Sequence, residues 1–180
     1  MKGIMRISAT EEYGLRCILQ LARIKAGGHY SASQIAEREG ISVEYASKMM
    51  QLFRKAGLVT SERGLHGGFR LARPASETTL LDVFQALGKS RNSHAFCDKF
   101  AGDRAKCVHV QDCSVRPVWQ TLLSFFDTVL GDLTLADLVG NESETRTVVT
   151  RKTETLRAGK LRSLVAPQTM RTEAAGRSGA

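Results

Sequence analysis

Cys97, Cys107 and Cys113 share one polar, aperiodic segment, GKSRNSHAFCDKFAGDRAKCVHVQDC, which spans residues 88–113. Thiolates are soft donors that suit iron–sulfur clusters and zinc. A stretch this long without periodicity is expected to be functional or ordered by something it binds. Three chemistries fit these residues. The first is an iron–sulfur cluster. The second is zinc held as a Cys3His set with His109, although the close cysteine pairs usual in structural zinc sites are missing. The third is direct thiol oxidation, where Arg104 or Lys106 would favour the Cys107 thiolate. Catalysis is not expected. His94 and His109 sit in the same segment, and no glycine elbow, carboxylate pair or cofactor fingerprint accompanies them.

The compartment bears on the thiols. No apolar run approaches the roughly 20 residues of a membrane span. The start, MKGIMRISATEEYGLR, lacks the apolar stretch and cleavage chemistry of a secretion signal. The expectation is therefore a cytoplasmic protein without a membrane partner, whose grouped cysteines are metal ligands or redox sensors rather than disulfides. The chain of 180 residues has a formal charge of +8 and a pI near 9.6, which favours an anionic partner, nucleic acid first. Residues 1–140 hold 18 Lys and Arg against 14 Asp and Glu, so DNA contacts in the body must be clustered.

The elements that would position such contacts are legible from caps and periodicity. Ser8 with Glu11 has capping-box spacing and opens a helix over residues 9–26 that Gly27 and Gly28 end. Tyr13, Cys17, Ile18, Leu21, Ala22 and Ile24 follow helical spacing, and Cys17 on that stripe reads as a buried structural thiol. Ser31 or Ser33 caps a second short helix that stops at Gly40. Ser42 caps a third, running to about Lys55. Helix, tight glycine turn, helix is the geometry that sends its second member into the major groove. Ala46, Met49, Met50, Phe53 and Leu58 supply the core side, leaving Glu44, Tyr45, Ser47, Lys48, Gln51 and Arg54 outward.

Val59 and Thr60 then read as a strand that returns through Phe69, Arg70 and Leu71 around the turn Arg63-Gly64-Leu65-His66-Gly67-Gly68. Behind a recognition helix this hairpin is a wing. A phosphate cradle of the nucleotide-binding kind is rejected, because no Lys-Ser or Lys-Thr pair follows and the run does not link a strand to a helix. Candidate DNA contacts are Ser42, Glu44, Tyr45, Ser47, Lys48, Gln51 and Arg54 on the helix, with Arg63, His66 and Arg70 on the wing. Glu44 has two readings, an acceptor for a cytosine amino group or a charge favoured by the helix N-terminus.

Thr79 with Asp82 caps a fourth helix, Leu80 to about Leu87. An amphipathic helix from about Ser114 to Leu130 follows, with Val115, Val118, Trp119, Leu122, Leu123, Phe126, Val129 and Leu130 on its stripe. With little chain left to cover it, that stripe implies a homodimer. Thr134 and Asp137 cap a last turn to Val139. The fold class expected is mainly α with a small β-hairpin, a winged helix-turn-helix plus a long C-terminal dimerisation helix. The divisions are 5–75 for DNA binding, 76–140 for the cysteine segment and dimerisation helix, and 141–180 for a disordered basic tail.

ISATEEYGLR, SASQIAEREGISVEYASKMMQLFRKAGLV, SERGLHGGFRLARP, the cysteine-bearing segment and LTLADLV together resemble the IscR/NsrR family of bacterial winged-helix regulators, over residues 5–140. The resemblance implies a homodimer that docks recognition helices and wings on a pseudo-palindromic operator in double-stranded DNA. It also implies an iron–sulfur cluster held by Cys97, Cys107 and Cys113, with [4Fe-4S] slightly favoured over [2Fe-2S] and control by redox state, nitric oxide or iron. Some members carry no cluster. Two positions depart from the pattern. The nine residues between Cys97 and Cys107 exceed the family's usual spacing, and Arg116 stands where the cluster-assembly regulator has a histidine ligand. The nitric-oxide-sensing relatives use a carboxylate from the partner's first helix, and Glu12 matches that position. Glu12 is the preferred fourth ligand, His109 the alternative, with Glu11 and Asp112 behind them.

Overall fold

Ser8 opens the first helix through a reciprocal cap. Its hydroxyl accepts the Glu11 amide at 3.3 Å, while the Glu11 carboxylate accepts the Ser8 amide at 2.8 Å. The computed structural model describes residues 7–24, 28–62, 67–88 and 106–165, with side chains of the last helix described to residue 158. Helix α1 spans Ala9–Ala22 and ends at Arg23, short of the glycine pair expected to stop it. Ser31, not Ser33, caps α2 (Ala32–Glu39), and Gly40 closes it at φ +64°, a left-handed conformation that favours glycine. Ser42 caps α3 (Val43–Lys55) by accepting the Tyr45 amide at 3.2 Å.

Strands β1 (Val59–Ser61) and β2 (Phe69–Leu71) pair antiparallel, with Val59 opposite Leu71. The wing has a third contributor that no local pattern marks. Tyr30 pairs with Phe69 through N–H···O contacts of 3.1 and 2.8 Å. Gly68 permits the approach, since a Cβ there would stand 2.8 Å from the Tyr30 carbonyl.

Thr79 caps α4 (Leu80–Ala86) with Asp82. Helix α5 covers Arg116–Asp132, a 3-10 turn covers Leu135–Leu138, and α6 covers Glu142–Val165. The Leu80 amide donates to the Leu133 carbonyl at 2.8 Å and the Leu135 amide to Thr78 at 2.9 Å. The chain leaving α5 is thereby stitched to the start of α4. One core gathers Cys17 and Ile18 from α1, Ile35 from α2, Met49, Met50 and Phe53 from α3, Val83 from α4, and Leu135. It crosses the boundary expected at residues 75–76, so α4 is part of the same packed body as the helix-turn-helix. The fold is a winged helix-turn-helix followed by a long helix.

The expectation of a disordered tail from 141 onwards is corrected over Glu142–Val165, which is helical. The apolar periodicity that would advertise this helix is absent, and polar contacts take its place. Asn141 and Glu144 cap its start reciprocally, both at 3.0 Å. Arg146 pairs with Glu142 one turn away. Lys152 reaches back to the Asp132 carbonyl at 2.6 Å and to the Asp137 carboxylate at 2.7 Å, and Val149 packs on the core. A helix polar on most sides is stable when capped and pinned in this way. Residues 166–180 of the expected tail lie outside the described residues.

Burial pushes the Asp137 carboxyl up. Hydrogen bonds from Lys152 and from the Thr134 amide and hydroxyl, with the Lys152 charge, outweigh burial and hold it below its ordinary value. A carboxylate depressed on folding contributes stability that is complete above the unfolded value, about 3.9, and fades as pH falls through the folded one. Acidification below about pH 4 should therefore loosen this clasp, a loss that Asp137→Asn lacks. Thermal midpoints of both proteins between about pH 5 and 3 check it: the gap between them should shrink as pH falls.

Candidate nucleic-acid interface and thiol site

Helix α3 sits on the core through Ala46, Met49, Met50 and Phe53, all fully buried. That seat turns Glu44, Lys48, Gln51 and Arg54 to solvent along one face, with Ser47 half-buried beside them. Ser42 is exposed at the head of the face, its hydroxyl engaged as the cap. Tyr45 differs from its outward reading. It is half-buried, its ring meets Tyr13 of α1 edge-on at 6.2 Å, and its hydroxyl lies 3.5 Å from Thr10 Oγ1. The reason is angular: Tyr45 lies beside the buried stripe, where α1 crosses. Val43, which the sequence pattern leaves unmarked, is 42% exposed in the first turn. No sequence signal would have found it: its spacing from Ala46, Met50 and Phe53 is that of a core position, and its place at the helix start is what leaves it open.

On the wing, Arg63 and His66 lie outside the described residues. Arg70 faces Thr60 across the hairpin, and its guanidinium meets the Glu62 carboxylate at 2.9 Å and the Thr60 hydroxyl at 3.4 Å. Glu62 therefore orients Arg70, and a phosphate at this arginine would compete with that carboxylate. The pair is half-exposed, so the competition is between screened charges.

The three described cysteines divide by environment. Cys17 is fully buried, and burial, with the nearby Glu39 charge, pushes its thiol up to about 12. It is a protonated, packed side chain at neutral pH, as its place on the α1 stripe implies. Cys107 and Cys113 are half-exposed free thiols flanking a turn that leads into α5. Native protein treated with iodoacetamide near neutral pH should carry label at Cys107 and Cys113, while Cys17 labels only after unfolding. Peptide mass mapping reads this directly. Cys97 lies outside the described residues.

Arg116 has a defined structural part here. Its guanidinium donates to the Val110 carbonyl at 2.7 Å and to the His109 carbonyl at 3.3 Å. Its amide donates to the Cys113 carbonyl at 3.2 Å, and the Val110 amide to the Cys107 carbonyl at 3.2 Å. The segment between the two thiols is thus clamped to the first turn of α5 by a side chain that cannot ligate a metal.

The carboxylate candidates separate as well. Glu11 is buried in the Ser8 cap, so it is committed to holding α1. Glu12 is exposed and paired only with Arg16 one turn on, at 3.2 Å. His109 and Asp112 are exposed. Among the described residues no three His, Cys, Asp or Glu side chains gather where a metal could sit. The donor types still suit a soft-metal centre: two free thiols flank the segment leading into α5, and an exposed carboxylate lies on α1. A complete set needs Cys97.

From its N-cap Val115 along α5, Val115, Val118, Trp119 and Leu122 recur on one face and are 53, 55, 45 and 45% exposed. Among the described residues no helix is long and apolar enough to cross a membrane.

The Rrf2 family, described as an iron-dependent transcriptional regulator, matches residues 7–141, ending just before α6. Protein rrf2 of Nitratidesulfovibrio vulgaris is 33% identical over 139 residues, 77% of this chain and 90% of that one. The HTH-type transcriptional regulator IscR of Vibrio atlanticus is 32% identical over 135 residues, 75% of each chain. Among solved structures, T. potens IscR superposes with a TM-score of 0.58 at 28% identity, over 76% of this chain and 87% of that one. CymR, the global cysteine regulator of B. subtilis, gives 0.58 at 26%, over 76% and 97%. Such relatives are regulators rather than enzymes, in keeping with a sequence that holds no catalytic constellation. The family match across the whole winged body, together with these relatives, makes this chain a member of the Rrf2 family of transcriptional regulators.

Proposed function

We propose that the protein is a cytoplasmic homodimer that grips a pseudo-palindromic operator in double-stranded DNA, with its affinity set by the state of Cys97, Cys107 and Cys113. The observation that carries this reading is the pair of free thiols at 107 and 113, at the two ends of a segment clamped by Arg116 to α5, whose exposed apolar face would form the dimer. Recognition helices would lie in successive major grooves about one helical turn apart. Ser42, Glu44, Ser47, Lys48, Gln51 and Arg54 would meet bases or phosphates, with Tyr45 contributing the open part of its ring. Arg63, His66 and Arg70 would contact the flanking backbone.

The three thiolates would hold an iron–sulfur cluster, [4Fe-4S] in preference to [2Fe-2S], with Glu12 contributed across the dimer or His109 from the same chain. When bound, such a cluster supplies a centre sensitive to oxygen, nitric oxide and iron loss. The residues of this chain transmit the change. The 107–113 turn is tied to the head of α5, α5 leads through Leu133 into the start of α4, and α4 shares its core with α3. A typical coupling of 1–3 kcal/mol corresponds to about 5- to 150-fold in operator affinity.

Anaerobically purified protein should contain iron and acid-labile sulfide, and Cys107→Ala should lose both while still binding duplexes selected from a random library. Wild-type affinity should shift within that range on exposure to nitric oxide or a chelator. Equal affinity in all states would end the sensor reading and leave the DNA-binding one. A second reading draws on the similarity to Staphylococcus aureus CymR, solved in an oxidized form, with a TM-score of 0.57 at 26% identity. In that case the half-exposed thiols respond directly to oxidant, and the colourless, metal-free protein changes affinity with peroxide. Zinc without iron would mark the third chemistry.

A further inference from the structure

We infer that Val43 reads the 5-methyl group of a thymine in the operator and so sets part of the base specificity. The inference rests on the DNA-binding reading above. Val43 is the first residue of α3, directly after the Ser42 cap, and 42% of its surface is open. A β-branched apolar side chain with that much open surface at that place is only partly used by the fold. It is a modest helix former, and although it stands seven residues before Met50, at the border of the stripe that seats α3, its place in the first turn leaves it open.

Helical spacing sets Val43 at the edge of the same face as Ser47, one turn on, and Arg54, three turns on. Residues at the start of a recognition helix are the ones that reach base edges. The apolar feature that base pairs present in the major groove is the thymine methyl. Valine suits that target because its χ1 is nearly fixed, so ordering it against a methyl costs little entropy. The neighbouring groups cannot duplicate the contact. The Ser42 hydroxyl is engaged by the Tyr45 amide, and the exposed Glu44 carboxylate is an acceptor matched to an amino group.

The test selects duplexes from a random-sequence library with the full chain, then replaces each thymine of the enriched site by uracil, which removes the methyl and keeps the pairing. One thymine per half-site should prove methyl-dependent, with uracil binding about fourfold weaker, the effect of one buried methyl group. Val43→Ala, its helix content checked by circular dichroism, should bind the thymine and uracil duplexes equally. The inference is overturned if no thymine shows methyl dependence, or if Val43→Ala keeps the full preference for thymine. Failure to enrich any duplex is a separate outcome that overturns the DNA-binding reading and this inference with it.

Discussion

Val118→Asp combined with Leu122→Asp is expected to turn the protein into a monomer while leaving its fold intact. Both side chains are about half exposed on a single chain, so the substitutions remove little buried area and unfolding free energy should move by about 0.5 kcal/mol or less. In the proposed dimer the same positions form an apolar seam, and four carboxylates facing each other there would be desolvated without partners. Operator binding should fall much further than stability. Two linked heads bind a two-half-site operator with an effective concentration that multiplies affinity by about 10²–10⁴, and a monomer forfeits that factor. Sedimentation velocity and operator titration on the same preparation provide the check. A variant that stays dimeric with unchanged affinity would place the interface elsewhere.

Phe53→Ala should have the largest effect on stability. Among the described residues Phe53 is the bulkiest fully buried side chain, and its place on α3 opposite the outward face makes it the anchor of that helix. Truncating a buried phenylalanine costs about 3–5 kcal/mol, from lost transfer energy and the cavity left behind. Against a total near 5–15 kcal/mol, this is a large share of what a domain has. Urea unfolding should show the midpoint collapse with the slope retained, and operator binding should be lost at temperatures the wild type tolerates. Phe53→Leu, which refills most of the volume, should recover more than half of the loss. A Phe53→Ala cost under about 1 kcal/mol would mean that α3 is not seated by this ring.

The parts of this protein legible from its sequence are those whose partners stand three or four residues apart. Ser8 with Glu11, Ser42 with the Tyr45 amide, and Thr79 with Asp82 all form as spaced, because a cap closes within one turn. The glycine at 40, the core stripe of α3 and the strands of the wing follow from equally local rules. The burial of Cys17 followed from its stripe. The cysteine-bearing segment was legible only as a donor list: Cys107 and Cys113 are free and half-exposed, while Cys97 falls outside the described residues.

Tertiary structure decided what joins residues far apart in the chain. Tyr30 completes the wing because Gly68 leaves room for its carbonyl. Tyr45 turns from the outward face to meet Tyr13, and Glu62 takes hold of Arg70 across the hairpin. Most instructive is α6, which reads as a disordered tail because it carries almost no apolar periodicity. It is held instead by Lys152 reaching Asp137 and the end of α5. Local pattern records which face of an element seeks the core. It does not record a cation meeting a carboxylate fifteen residues away, because that contact exists only after the intervening chain has turned.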